Sequence, residues 1–262
     1  MPSTSSRFLL RALFFMGLGL TSMQAQTTTT INFGDASVLT GQFTGTGSSL
    51  SFSSSGGLGG GGGVTIASGN SGIQTFNSTI ANSGSYVVSA YMFNGTGNSG
   101  YGGLGFATAS SNTLAGSAPW SPANSIGVTF HGGGGDFTNN SSSASSLTWP
   151  PGISDDTWYK YTLTVTAKAS NTFDLSLLIQ TSDANGFITG TYASKSVTDV
   201  VNSSVGAATQ LQPYFLYQGT RFTAVDNFSV TASAIPEPST YAVWGGLVAG
   251  AFVLIRRRRR QG

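Results

Sequence analysis

The stretch Trp158 to Ala167 constrains the fold more than any other. Tyr159, Tyr161, Leu163, Val165 and Ala167 fall on one side of an extended chain, and Lys160, Thr162, Thr164 and Thr166 on the other. A period of two over ten residues belongs to a strand with one face in a core. The next segment repeats it: Phe173, Leu175, Leu177 and Ile179 alternate with Thr172, Asp174, Ser176 and Leu178, so the two form a natural pair. Ser85 to Phe93 places Tyr86, Val88, Ala90 and Met92 on one face.

Further strands are expected at Ile31–Phe33, Ser48–Ser53, Val64–Ala67, Gly102–Thr108, Ser125–Phe130, Phe187–Tyr192, Leu211–Tyr217 and Phe222–Val230. A loop separates two of them at Gly56–Gly63, a Ser/Asn-rich stretch without a strand assignment runs from Thr138 to Ser146, and a turn is expected at Ser182–Gly186. No window between the signal-like N-terminus and Tyr241 carries a 3.6-residue period, so little helix is expected. Short strands with glycine-rich turns predict an all-β chain, a β-sandwich of jelly-roll type over residues 26–234. Trp158–Val165 and Val225–Val230 resemble, by pattern over two strands, the concanavalin-like and laminin-G-like jelly rolls.

The ends read differently. Arg7 and Arg11 precede apolar Ala12–Leu20, and a polar stretch ends at Ala25, which is the layout of a secretory signal peptide over residues 1–25. At the other end, Pro236-Glu237-Pro238-Ser239 leads into an uncharged segment, residues 239–255, and then Arg256, Arg257, Arg258, Arg259 and Arg260. The apolar segment is at the short end of the roughly 17 to 25 residues that cross a bilayer as a helix. The arginines stay cytoplasmic, so the body of the chain faces outward. The prolines hold Glu237 extended and exposed.

Residues 235–262 resemble the PEP-CTERM sorting signal of Gram-negative bacteria, with motif, helix and arginine cluster in order and Ile235 where valine is common. The resemblance implies exosortase, a membrane cysteine transpeptidase, as a partner. It also implies transient anchoring in the inner membrane, then a final place at the cell surface or in an exopolysaccharide matrix. A plain tail anchor behind a proline-rich linker is the competing reading.

With the targeting ends removed, Lys160, Lys168, Lys195 and Arg221 stand against eight aspartates, four minus eight, or −4. The basic character of the whole chain therefore lies in its targeting segments, and nothing in the body offers nucleic acid a basic patch. There is no cysteine, so neither a disulfide nor a thiolate is available.

The residue inventory points away from catalysis. Glu237 is the only glutamate and belongs to the sorting motif. Asp155 and Asp156 are adjacent, as a turn ahead of Trp158 would have them. His131, the single histidine, is followed at Asp136 by a carboxylate, but no GxSxG elbow supplies a nucleophile. No cofactor is expected. A structural calcium between Asp35 and Asp226 is weighed against local hydrogen bonding of each. For function, Trp120 and Trp149 on proline-stiffened loops, with Tyr101 and Tyr91 near strands, make a candidate platform for sugar rings; capping of the sandwich ends is the alternative. The expectation is an exported, non-catalytic surface or matrix protein, with a carbohydrate-binding module as the alternative.

Overall fold

A computed structural model describes residues 26–47, 50–67, 71–96, 100–108, 121–131, 133–140, 142–148, 153–219 and 221–233. The proposed signal peptide, the sorting motif, its helix and arginine cluster, and Trp120 and Trp149 lie outside the described residues. Among the described residues no helix is long and apolar enough to cross a membrane.

The strands are, in chain order, β1 (Gln26–Ile31), β2 (Phe43–Gly47), β3 (Leu50–Ser53), β4 (Gly63–Ile66), β5 (Ser71–Phe76), β6 (Ile80–Ala81), β7 (Ser85–Asn94) and β8 (Gly100–Ala107). There follow β9 (Ser125–His131), β10 (Gly134–Asn139), β11 (Ser142–Thr148), β12 (Thr157–Ala167), β13 (Thr172–Ser182), β14 (Ile188–Val201), β15 (Gln210–Gly219) and β16 (Phe222–Ser233). They build two sheets in which every pairing is antiparallel. The first runs β14-β13-β12-β7-β16-β4-β3, with β1 also on β16; the second runs β11-β10-β9-β8-β15-β5-β2, with β6 also on β15. The chain is thus all-β, as its alternation predicts.

The core lies between the sheets. Tyr86, Val88, Ala90 and Met92 of β7, Tyr159 to Val165 in alternation on β12, and Phe173 to Ile179 on β13 face Leu104, Phe106, Ile126, Val128, Phe130 and Phe137 of the second sheet. The rings of Tyr86 and Phe106 meet edge to face, 4.7 Å apart. At the other end, Phe43 packs against Phe33, Phe76, Phe215 and Phe228. Burial of this apolar face, at roughly 25 cal/mol per Å², is what a disulfide-free domain relies on.

Four details depart from the sequence expectation. The Ser/Asn-rich stretch around Thr138–Ser146, given no strand in the sequence reading, is the hairpin of β10 and β11. Its serines alternate outward along an edge strand that buries only Leu147, so no apolar period betrays it. The strand expected at Phe187–Tyr192 continues to Val201, bent by bulges against β13. A seven-residue helix, Ala36–Gln42, follows Asp35, which caps it by accepting from Ser37 N and Ser37 Oγ. A shorter helix, Ser203–Ala207, is capped by Asn202 through Val205 N.

Candidate functional site

The outward face of the second sheet is set by what points inward. With Ile126, Val128 and Phe130 in the core, Ser125, Gly127, Thr129 and His131 of β9 must face out. On β10, inward Phe137 turns Asp136 and Thr138 outward; on β8, inward Leu104 and Phe106 leave Tyr101, Gly103, Gly105 and Ala107 outside. Register then draws rows across the strands. Ser146, Asp136, Thr129 and Gly103 make one row, and Ser143, Thr138, Gly127 and Gly105 the next.

Glycine makes the floor of this face. A Cβ at Gly127 would meet the Tyr214 hydroxyl and sit 2.6 Å from Leu104 O, and one at Gly105 would meet Tyr214 and lie 2.6 Å from Ile126 O. The Tyr214 side chain therefore reaches across β8 and β9 where side chains are missing. Leu216 does the same over Gly103. Ile73, Ala107, Tyr214 and Leu216 form a small buried apolar cluster separate from the main core.

Beside that floor stand the polar groups. Asp136 Oδ1 accepts from Ser143 Oγ at 2.7 Å and from Ser146 Oγ at 2.9 Å, which fixes the carboxylate and leaves Oδ2 with no hydrogen bond among the described residues. Thr129, its register partner, is fully buried, and its hydroxyl has no hydrogen-bond partner among the described residues. His131, half-buried, meets the Tyr101 ring edge-on at 5.4 Å and accepts at Nδ1 from Gly133 N at 3.2 Å. Burial, with a smaller contribution from Arg221, holds the imidazole pKa below its ordinary value against the upward pull of Asp136.

The hydroxyls of Ser143 and Ser146 donate to Asp136, and the imidazole takes the Gly133 N–H, so the serines orient the carboxylate. Asp155 and Asp156 are exposed in the turn ahead of β12, Asp156 in the left-handed region at φ 52°. Asp155 Oδ1 lies 3.8 Å from the buried Arg221.

Two further sequence candidates resolve separately. Tyr91 alternates with core residues Ala90 and Met92 on β7 and so lies on the outer face of the first sheet, away from Tyr101. Its hydroxyl donates to Gly186 O at 2.9 Å, and Lys160 Nζ sits 5.6 Å from its ring centre. Asp35 and Asp226, the pair weighed for calcium, each accept backbone N–H groups. Asp35 is spent on its helix cap; Asp226 takes Leu58 N on Oδ2 at 2.9 Å and Asn227 N on Oδ1 at 2.7 Å. Carboxylate oxygens already facing N–H donors are poor calcium ligands. Among the described residues no cluster of three or more metal-binding side chains occurs.

The sequence reading named Tyr101 and weighed His131 with Asp136, and did not name Ser143, Ser146, Thr129 or the glycine floor. The signal present was Gly-Leu-Gly-Phe at residues 103–106, an alternation whose outward member is always glycine.

No family model matches the chain, and no curated protein matches it. Solved structures do share its fold. Peanut lectin with a 9mer peptide has a TM-score of 0.55 at 13% identity, covering 81% of this chain and 99% of that one. The metal-free lectin I-B4 of Griffonia simplicifolia gives 0.56 at 12% identity, covering 80% and 100%. A Bauhinia forficata lectin in complex with GalNAc gives 0.50 at 10%, covering 80% and 99%. The fold is a lectin-type jelly-roll β-sandwich, in line with the concanavalin-like resemblance of its strands.

Proposed function

We propose that this chain is an exported, non-catalytic protein of the cell surface or extracellular matrix whose sandwich binds neutral carbohydrate on the outer face of the second sheet. The observation that carries the reading is Asp136, fixed by two serine hydroxyls with Oδ2 open among the described residues, on the same face as the rings of Tyr101 and His131. A carboxylate held rigid accepts from sugar hydroxyls, and an aromatic edge packs on their apolar ring faces. The body's net charge of −4, from the count above, suits a neutral polymer better than an anionic one. That a Bauhinia lectin holds GalNAc on the same fold supports the class of ligand, while the residues are this chain's own.

Delivery is proposed from the ends of the chain. Residues 1–25 serve as a secretory signal peptide, and residues 235–262 as a PEP-CTERM address processed by exosortase after transient anchoring in the inner membrane. C-terminal mass spectrometry of the protein from its producer tests this. An end near Pro236-Glu237-Pro238 supports processing, and an intact chain through Arg260 makes the tail a plain anchor.

The binding test uses the mature protein on an immobilised neutral galactomannan and on the producer's own neutral polysaccharide. Asp136→Ala and Tyr101→Ala lose retention with an unchanged circular dichroism spectrum if the face binds sugar. Equal retention by wild type and both variants overturns it. Trp120→Ala and Trp149→Ala, run beside them, report whether the tryptophans contribute.

A further inference from the structure

We infer that Asn185-Gly186, in the turn between β13 and β14, is a site of spontaneous deamidation that the turn's own hydrogen bonds hold back, and that conversion there unlatches the loop of residues 56–63. The inference goes beyond the glycan reading and makes no use of that face.

The chain has two Asn-Gly pairs, at residues 94–95 and 185–186. With no Cβ on the glycine, its amide nitrogen approaches the asparagine side chain unhindered. The fold separates the two pairs. Asn94 is fully buried, its Nδ2 donating to Ser154 O at 2.8 Å, and Gly95 N donates to Arg221 O at 2.7 Å. Asn185 is exposed at a hairpin tip, next to a Gly186 that adjoins the 71% exposed Phe187, so water and solvent base reach it.

The reaction needs only water. Gly186 N gives its proton to solvent base and bonds to Cγ of Asn185. The Cγ–Nδ2 bond breaks, ammonia leaves, and a five-membered imide remains. Water then adds to one imide carbonyl, and ring opening yields either aspartate or isoaspartate, whose main chain runs through the former side chain.

The turn opposes the first of these bonds. Gly186 N is engaged, donating to Asp183 O at 3.1 Å, and Gly186 sits in the left-handed region at φ 86°. Asp183 Oδ1 accepts from Asn185 N and Phe187 N at 2.9 Å each, and Asp183 N donates to Phe187 O at 3.0 Å. From outside, the Tyr91 hydroxyl donates to Gly186 O at 2.9 Å and Gly59 N to Ala184 O at 2.6 Å. The imide therefore forms only in molecules whose turn has opened locally, at a rate that follows the open population. Isoaspartate adds an atom to the main chain inside this turn, so the turn cannot close again in its old register. The 56–63 loop then keeps its bond from Leu58 N to Asp226 and loses the one from Gly59 N to Ala184 O.

The test incubates the mature protein at mildly alkaline pH, in native buffer and in urea, and follows both Asn-Gly pairs by peptide mass spectrometry. Both should convert in urea. In native buffer only Asn185 should convert, more slowly than in urea. Tyr91→Phe should speed that conversion about fivefold, the weight of one net hydrogen bond, and Asp183→Ala by more, with Asn94 silent in each. Equal rates for Asn185 in native buffer and in urea overturn the restraint. Joint conversion of Asn94 and Asn185 in native wild type assigns the reaction to global unfolding and overturns it as well. No conversion of Asn185 in native wild type or Tyr91→Phe overturns the site. If Asp183→Ala fails to fold, conversion of its Asn94 reveals this and Tyr91→Phe decides. Hydrogen exchange at the Gly59 amide should be faster in the isoaspartate form, and unchanged exchange there overturns the unlatching.

Discussion

Phe130 of the second sheet and Tyr161 of the first stack face to face across the core, ring centres 3.9 Å apart and planes within 8°. Phe222 closes on both edge-on. The Tyr161 hydroxyl is buried with this cluster and has no hydrogen-bond partner among the described residues, and desolvation pushes its pKa far up.

Tyr161→Phe should therefore leave the stack intact while removing an unpaired polar group. The expected result is an unchanged or higher Tm, by up to about 1–3 kcal/mol of stability. Phe130→Ala should cost about 3–5 kcal/mol, since it removes the ring and leaves a cavity against Tyr161. Thermal or urea denaturation of the two variants checks both. A clear loss in Tyr161→Phe would show that the hydroxyl is bonded.

Gly127→Ala tests the floor of the candidate face. The new methyl meets the hydroxyl of the fully buried Tyr214 ring and also Leu104 O at 2.6 Å, which is backbone and cannot give way. Strands β8 and β9 would have to separate locally, at about 1–3 kcal/mol for an overpacked site. Gly133→Ala is the control, because its position lies in the exposed turn with nothing nearer than 3.8 Å. Its Tm should barely move.

How much of this could be read in advance depends on where each strand's information lies. Strands β7, β12 and β13 are buried on one face and polar on the other, so Tyr86, Tyr161 and Leu177 announce themselves by period. Strands β10 and β11 carry glycine, serine and threonine with only Phe137 and Leu147 turned inward, and they are held by pairing to β9 rather than by their own pattern. The candidate site is less legible still. Tyr101 and His131 lie thirty positions apart, and only register across β8 and β9 makes them neighbours. The meeting of Asp136 with Ser143 and Ser146 depends on a bulge between Phe137 and Thr138, which no local sequence rule places. Asp35, by contrast, was readable as a local bonding residue.

Asp226 should leave a signature of unusual sign in the pH dependence of stability. It is buried beneath the Gly56–Gly63 loop, and desolvation raises its pKa despite the backbone N–H groups of Leu58, Asn227 and Phe33. A carboxyl whose folded pKa exceeds its unfolded value is ionised more easily in the unfolded chain, so it disfavours folding once the pH rises above the unfolded value. That penalty grows through the window from the ordinary carboxylate value up to the raised folded one, then levels off. Asp226→Asn removes the titration. Whatever the offset between the proteins, Tm of the variant minus Tm of wild type should increase with pH through that acidic window and stay constant above it. A flat difference would show that the loop's N–H groups have cancelled the desolvation.

Calcium is tested through Asp35 and Asp226 together. If an ion joined them, chelation would lower Tm and either substitution would abolish the effect. Both carboxylates already accept N–H donors, Asp35 from Ser37 N and Asp226 from Leu58 N and Asn227 N, which favours local bonding over an ion. EDTA should therefore leave the Tm of the mature protein unchanged. Asp35→Ala should lower Tm through the lost helix cap, and by the same amount with EDTA or with added calcium. Asp35 has its pKa held below the ordinary value, chiefly by the Ser37 hydroxyl, so the stability it lends is present above the unfolded carboxylate pKa and lost as pH falls through the folded one. A Tm loss on chelation that vanishes in Asp35→Ala would assign the carboxylate to an ion instead of to its helix.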